Sequence, residues 1–383
     1  MRIAVLGAAG AMAAVVVRDL LEFAPDVSVT VADRRPLPEP GDRRVRTATV
    51  DVRDEEATAR LLDGHDAVAN CVTYYFNVPV MRAALRARVP YTDLGGLYHG
   101  TLKQFALDAE FREAGVPALL GMGSTPGITN VMAGALARRF DAGSVEAIHV
   151  RVGCVDRTAS GPLPVPYALD TVIDEFSLEP MVFRGGRAEA VPPGSGEETI
   201  RFPEPVGEAR AFYTLHSEVA MFPRSFPGLS DASFKVAFEP DFTHKMRFLV
   251  DLGFASREKR VGDASPREML LALAAAQSGP APGDAAPDDC DALRVDVSGR
   301  KAGKRADARA EMIVLPHRGW KTAAGSLDTG VPLSLAAQML ADGTVAARGV
   351  LCPETAMPPE KFFRELSRRG MEVRWSAGEG GRA

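Results

Sequence analysis

Gly7 and Gly10 lie three residues apart between an apolar run and an Ala/Val-rich one, in the pattern Gly-x-x-Gly-x-x-Ala that closes on Ala13. Glycines so placed let a strand turn tightly into a helix and let backbone N–H groups approach a pyrophosphate at the helix N-terminus. Ala9, Ala11 and Met12 complete that turn. Asp33 ends the next apolar run, about 20 residues on, where a carboxylate can accept hydrogen bonds from ribose hydroxyls. Strand, glycines, helix, strand and acid in this order point to a dinucleotide. Asp33 should repel a 2′-phosphate and favour NAD, whereas Arg34 and Arg35 directly after it are the groups that would accept NADP.

With such a cofactor the protein has only to place a substrate carbon and manage one proton. Asp93, at the end of another apolar run and followed by Gly95-Gly96, is a candidate base, and a turn cap on the plainer reading. His216, two residues before Glu218, has an acid beside it that can raise its pKa toward neutrality and suit it to proton transfer. Arg224 and Lys245 are candidates for a substrate carboxylate, and Tyr75, with Tyr98 and His99, borders the expected cleft. No His-x-x-x-His, Gly-x-Ser-x-Gly or clustered ligand set appears, so neither a metal site nor a serine hydrolase is expected. Cys71, Cys154, Cys290 and Cys352 are far apart and read as reduced thiols.

Strand ends and loops must hold these residues. Apolar runs at residues 3–6, 29–32, 46–51, 67–72, 91–94 and 117–120 read as buried strands, with helices between them ending near Phe23 and at 54–62, 80–88 and 101–114. That alternation predicts an α/β, doubly wound parallel sheet of the Rossmann type. Asp51 and Val52 then fall beside the adenine, and Asn70, Cys71, Val72 and Thr73 on the loop facing the cofactor. The Gly/Pro-rich residues 121–130 mark a domain crossing; Gly123 is placed near the cofactor, Thr125 and Asn130 near the substrate, and a helix is expected at 131–139.

Beyond it, alternation at 147–155 and shorter runs through Phe183, Ile200, 210–214 and 234–238 predict a second α/β domain with a mixed sheet. Residues 278–289 read as an exposed or disordered loop, followed by a hairpin of 293–299 with 308–315. Helices at 332–341 and 360–369 are expected to return to the first domain. The division is 1–125, 126–320 and 321–383. The 383 residues and formal charge of −5, without a basic stripe or a long apolar run, argue against nucleic acid and membrane and for a soluble, cytoplasmic protein with a small-molecule substrate.

The Gly7-x-x-Gly10 unit, residues 89–93, and above all residues 121–130, of the form Gly-x-x-Pro-Gly-x-x-Asn, resemble the saccharopine reductase-like dehydrogenases, most closely their lysine 6-dehydrogenase branch. The likeness continues through 167–176, 234–254, 329–349 and 358–373. It implies a second domain, 126–320, that binds an amino-acid or amine substrate and joins a homodimer. It also implies NAD- or NADP-dependent hydride transfer at a C–N bond through an imine. Ser124-Thr125 and the segment after Gly279 depart from the pattern and leave the substrate open. A reductase of a specialised imine and a non-catalytic NAD-sensing protein are the alternatives.

Overall fold

The structure is a computed structural model that describes residues 1–157, 161–258, 262–277 and 287–377. Its first part alternates strands and helices: β1 (Arg2–Leu6), α1 (Ala11–Phe23), β2 (Ser28–Asp33), β3 (Val45–Thr49), α2 (Glu55–Leu62), β4 (Ala67–Asn70), α3 (Asn77–Ala87), β5 (Tyr91–Asp93), α4 (Leu97–Phe105), α5 (Asp108–Ala114) and β6 (Pro117–Leu119). α6 (Ile128–Ala137) then leads into β7 (Val145–Asp156), α7 (Leu169–Ser177), β8 (Met181–Arg184), β9 (Arg187–Ala190), β10 (Glu198–Arg201) and β11 (Glu208–Tyr213). Next come α8 (Glu218–Ser225), β12 (Asp231–Ala237), α9 (Pro240–Asp251), α10 (Pro266–Gln277), β13 (Asp289–Lys301) and β14 (Lys304–Val314). The chain closes with α11 (Ala324–Ala341), β15 (Gly349–Leu351), α12 (Pro353–Ala356), α13 (Pro359–Ser367) and β16 (Val373–Ala377).

The first sheet runs β15-β6-β5-β4-β1-β2-β3, every pair parallel. Ile3 to Leu6 and Ala67 to Ala69 are fully buried, as strands covered by helices on both faces must be. The strand order reverses between β1 and β4, and in such sheets the crevice outside the strand C-termini at that point receives ligands. The second sheet runs β10-β11-β12-β7-β13-β14-β16, with β8 and β9 attached to β12. It is mixed, because β12 and β7 pair in parallel while its other pairs are antiparallel.

Several expected elements shift. The single helix expected at 101–114 is two, broken at Ala106 and Leu107, and Asp108, which opens α5, accepts the Val350 N–H of β15 at 2.8 Å. The helix expected from Pro332 begins at Ala324 and carries Pro332 inside; buried almost throughout its length, it is held by packing rather than by propensity. The C-terminal segment does not only return to the first domain: it gives β15 to the first sheet and β16 to the second. Residues 278–286 of the expected loop lie outside the described residues, and Asp289 at its end opens β13. Among the described residues no helix is long and apolar enough to cross a membrane.

Candidate active site

Gly7 follows β1 with φ +76°, and a Cβ there would lie 2.9 Å from the Cys71 carbonyl carbon and 3.0 Å from the Val72 nitrogen. Only glycine allows the loops after β1 and β4 to approach so closely. The Gly10 N–H closes the turn on the Gly7 carbonyl at 3.0 Å, and the N–H groups of Ala11 and Met12, in the exposed first turn of α1, have no partner within the helix.

Asp33 reaches back over this loop and accepts the Ala9 N–H at 3.1 Å and the Arg35 N–H at 3.0 Å. Partial burial opposes its ionisation, but those two N–H groups and the Arg35 guanidinium at 3.5 Å hold the carboxyl below its ordinary range. Arg34 is exposed beside it. Asp51 lies past the end of β3, paired with Arg53, whose hydrogen bonds hold its carboxyl down to about 2, and Val52 is half-buried next to it.

A turn whose cradle a Cβ would fill, an open helix start and an ionised acid above it fit a dinucleotide. Gly7, Ala9, Gly10, Ala11 and Met12 would hold the pyrophosphate and Asp33 a ribose. Asn70 has no side-chain group free to join them, because it donates to Asn77 at 3.0 Å and Tyr91 at 3.1 Å and accepts the Val72 N–H at 3.3 Å. Cys71, Val72 and Thr73 are half-buried along the crevice rim, the Cys71 thiol pushed up to about 12 by burial.

The crossing loop closes the floor. Gly127 has φ +133°, and a Cβ on it would fall 2.0 Å from the Gly123 carbonyl oxygen. Gly123 donates to the Pro126 carbonyl at 2.8 Å, and Ser124 donates to Asp328 of α11 at 2.7 Å. Thr125 is half-buried in this loop.

Two expectations are corrected here. Asp93 is fully buried and accepts from Tyr91 (2.8 Å), Gly95 N–H (3.0 Å), Gly121 N–H (2.8 Å) and Gln104, so it braces β5 against the crossing loop and offers no open face to a substrate. Asn130 is likewise closed, accepting the Gly127 N–H at 3.1 Å and donating to Glu354 at 2.8 Å.

The second domain supplies the opposite wall. Ser217 comes against the loop after β5, its Oγ accepting from Thr101 at 3.1 Å and from the Gly96 N–H at 3.4 Å, and so brings His216 and Glu218 to the crevice. The His216 ring stacks on Phe234 of β12, centroids 3.8 Å apart, and its Nδ1 bonds Glu218; its Nε2 has no hydrogen bond among the described residues. Burial alone would lower the imidazole pKa, but Glu218 and Glu175 outweigh it and hold the pKa above its ordinary value.

Glu175 of α7 accepts from the Tyr167 hydroxyl, and burial lifts its carboxyl to about 7. Cys154 and Asp291 face each other across β7 and β13, and burial raises both, as it does Asp328. Cys154, Tyr167 and Asp291 are half-buried, and Cys154 and Tyr167 pack against the edge of the main core.

A third junction ties the mouth. Tyr74 and Tyr75, in the 3-10 turn after β4, both donate to Asp174 of α7, which Arg267 of α10 also meets at 2.8 Å while holding Asp170 at 2.6 Å. Burial and Asp174 push both phenols up, Tyr75 to about 12.

Arg224 and Lys245 are not part of this cleft. Arg224 pairs with Asp108 at 3.0 Å and lies over Phe105, and Lys245 pairs with Asp241 one turn away on α9. Asp174, Glu175, Arg267, Asp291 and Asp328 were not singled out in the sequence. For three of them the signal is an acid within an apolar segment: Asp174 and Glu175 follow Val172-Ile173 and precede Phe176, and Asp328 interrupts the apolar α11, whereas Arg267 and Asp291 carry no such signal.

Comparison with known proteins agrees with this fold. Residues 3–119 match the saccharopine dehydrogenase NADP binding domain, and residues 123–371 match the saccharopine dehydrogenase C-terminal domain. The chain is 25% identical over 353 residues to a carboxyaminopropylagmatine dehydrogenase of Synechocystis sp., covering 86% of this chain and 85% of that one. Its fold is similar to apo saccharopine dehydrogenase (L-Glu forming) from Saccharomyces cerevisiae, with TM-score 0.72 and 16% identity over 99% of this chain and 100% of that one. The chain belongs to the saccharopine dehydrogenase family of NAD(P)-dependent oxidoreductases.

Proposed function

We propose that the chain is an NAD-dependent dehydrogenase that oxidises, or in reverse forms, a C–N bond of an amino acid or amine bearing a second cationic group. The observation that carries this reading is the His216–Glu218 pair, set by Ser217 against the strand-end loop at the cofactor crevice. A nicotinamide dinucleotide, when bound, supplies or accepts the hydride.

Oxidation of an alkylammonium also releases a proton, and the amine must be neutral before its lone pair can assist hydride loss. With Nδ1 tied to Glu218, Nε2 of His216 takes that proton, and the two acids stabilise the imidazolium that results. In the reverse direction the imidazolium returns it. Glu175, Asp291 and Asp328 give the cleft an acidic wall whose burial cost a cationic substrate group would offset. A polar wall of this kind favours an enzyme over a protein that only holds NAD.

The ionised Asp33 over the glycine turn supports NAD, because a 2′-phosphate would meet its charge. The lysine 6-dehydrogenase resemblance puts lysine first among substrates, and the Synechocystis relative's name adds carboxyaminopropylagmatine. A homodimer through the second-domain sheet belongs to the same reading, and light scattering tests it, since a monomer rejects it.

The test of function is reduction of NAD or NADP at alkaline pH with lysine, ornithine, saccharopine and carboxyaminopropylagmatine. Turnover with NAD preferred, and a preference that narrows in Asp33→Ser, is the expected result. Cofactor binding without turnover on any of them, or NADP preferred by the unaltered protein, would overturn the reading.

A further inference from the structure

Outside the cleft, a cavity of about 550 Å³ lies in the groove between α3 and α4 beneath the Tyr74–Phe76 turn. That volume is in the range of small-molecule sites. None of its walls comes from the glycine turn, the crossing loop or the second domain, and it meets the cleft only at Tyr74 and Tyr75.

Its chemistry is one-sided. Arg82 of α3 and His99 and Lys103 of α4 line it, no Asp or Glu does, and none of the three has an ion pair or hydrogen bond among the described residues. Most Arg side chains in this chain are instead paired, as Arg86 one turn after Arg82 is paired with Glu55 and Glu56. The rest of the lining, including the Tyr74 and Tyr75 rings and Leu107, is largely apolar. Arg82 and Lys103, both exposed on the lining and unpaired among the described residues, with the His99 ring beside them over an apolar floor, suit a ligand with an apolar body and an anionic head.

We propose that this groove is a second ligand site, separate from the cofactor crevice, for a small organic anion held by Arg82, Lys103 and His99. The anionic head is a carboxylate or a phosphate, and both would use the same three side chains.

The test is calorimetric titration of benzoate and of phenyl phosphate into the full chain saturated with NADH, at low ionic strength. NADH fills the pyrophosphate site, so heat from that site is removed. One equivalent of probe should bind, and the R82S/K103S variant should bind it roughly tenfold or more weakly, with the same melting temperature and NADH affinity.

Binding of one probe and not the other identifies the head group and supports the site. Equal binding by the variant, no binding of either probe at millimolar concentration, or binding only when NADH is omitted would each overturn the proposal. The readout is binding, so it stands or falls independently of whether an amine substrate is found.

Discussion

Replacing Glu175 with Gln isolates the cost of the acidic wall. Glu175 is 5% exposed, its donor is the Tyr167 hydroxyl, and burial lifts its carboxyl from 4.5 to about 7 although His216 and Tyr167 pull the other way. Between those two values the folded chain binds more protons at this site than the unfolded one. Stability from the site is therefore full below the ordinary pKa and is lost as pH rises through the folded value, by about 1.4 kcal/mol per unit. Across the whole interval the loss is about 3 kcal/mol.

Gln has nearly the same volume, still accepts from Tyr167 and cannot ionise. Urea unfolding at steps from about pH 5 to about pH 8 should show the two proteins similar at the acid end, and Glu175→Gln more stable by about 3 kcal/mol at the alkaline end. The raised carboxyls of Asp291 and Glu354 titrate in both proteins and cancel in the difference. His216 does not cancel fully, because Glu175 helps to hold its pKa up, but the lost help adds to the same sign. A stability difference independent of pH would refute the assignment of the raised carboxyl to Glu175.

Three further outcomes follow from the same contacts. Gly7→Ala forces a Cβ onto the Cys71 carbonyl at positive φ, so it should cost about 1–3 kcal/mol in urea unfolding. It should also weaken NADH binding by roughly tenfold or more in a fluorescence titration, and unchanged NADH affinity would count against the glycine turn as the cofactor site. Glu218→Gln removes the charge that holds the His216 pKa up, so the limb of the pH–rate profile for amine oxidation should move to lower pH. Its kcat should fall on the order of 100-fold with the KM for NAD little changed, whereas a profile that stays in place would exclude His216 as the proton acceptor. Arg267→Met leaves the buried Asp174 with the two tyrosine hydroxyls and the exposed Arg257 guanidinium at 3.9 Å, and should cost about 3–5 kcal/mol; adding Asp174→Asn should restore much of that, and a single-variant loss below about 1 kcal/mol would show the junction to be weak.

The candidate cofactor half of the site is legible in the chain because its parts are local. Gly7, Gly10 and Asp33 belong to one βαβ unit, and their spacing carries the geometry. The proposed substrate half draws on α7, β11–α8, β13 and α11, and only the register of β7 with β13 puts Asp291 beside Cys154. Asp93 shows the limit from the other side. A carboxylate at a strand end is placed correctly by the pattern, but whether its lone pairs are free depends on Gln104 and Gly121, which arrive from a helix and a loop farther on.

Electrostatic cost separates the two kinds of acid. Asp93 is buried with four donors, two of them backbone N–H groups, and that is the economy of a brace. Asp328 is just as buried but, among the described residues, has only the hydroxyls of Ser124 and Thr329 as side-chain partners, with a second raised carboxyl, Asp291, near it. A site that pairs buried acids with so few donors is unfavourable until a cation enters, since each carboxyl must otherwise give up either its charge or its solvation. Acids that interrupt apolar segments, such as Asp328 in α11 and Glu175 in α7, therefore point to the substrate more directly than the acid at the strand end, and their substitution should alter discrimination between cationic and neutral amines while Asp93 substitutions alter stability.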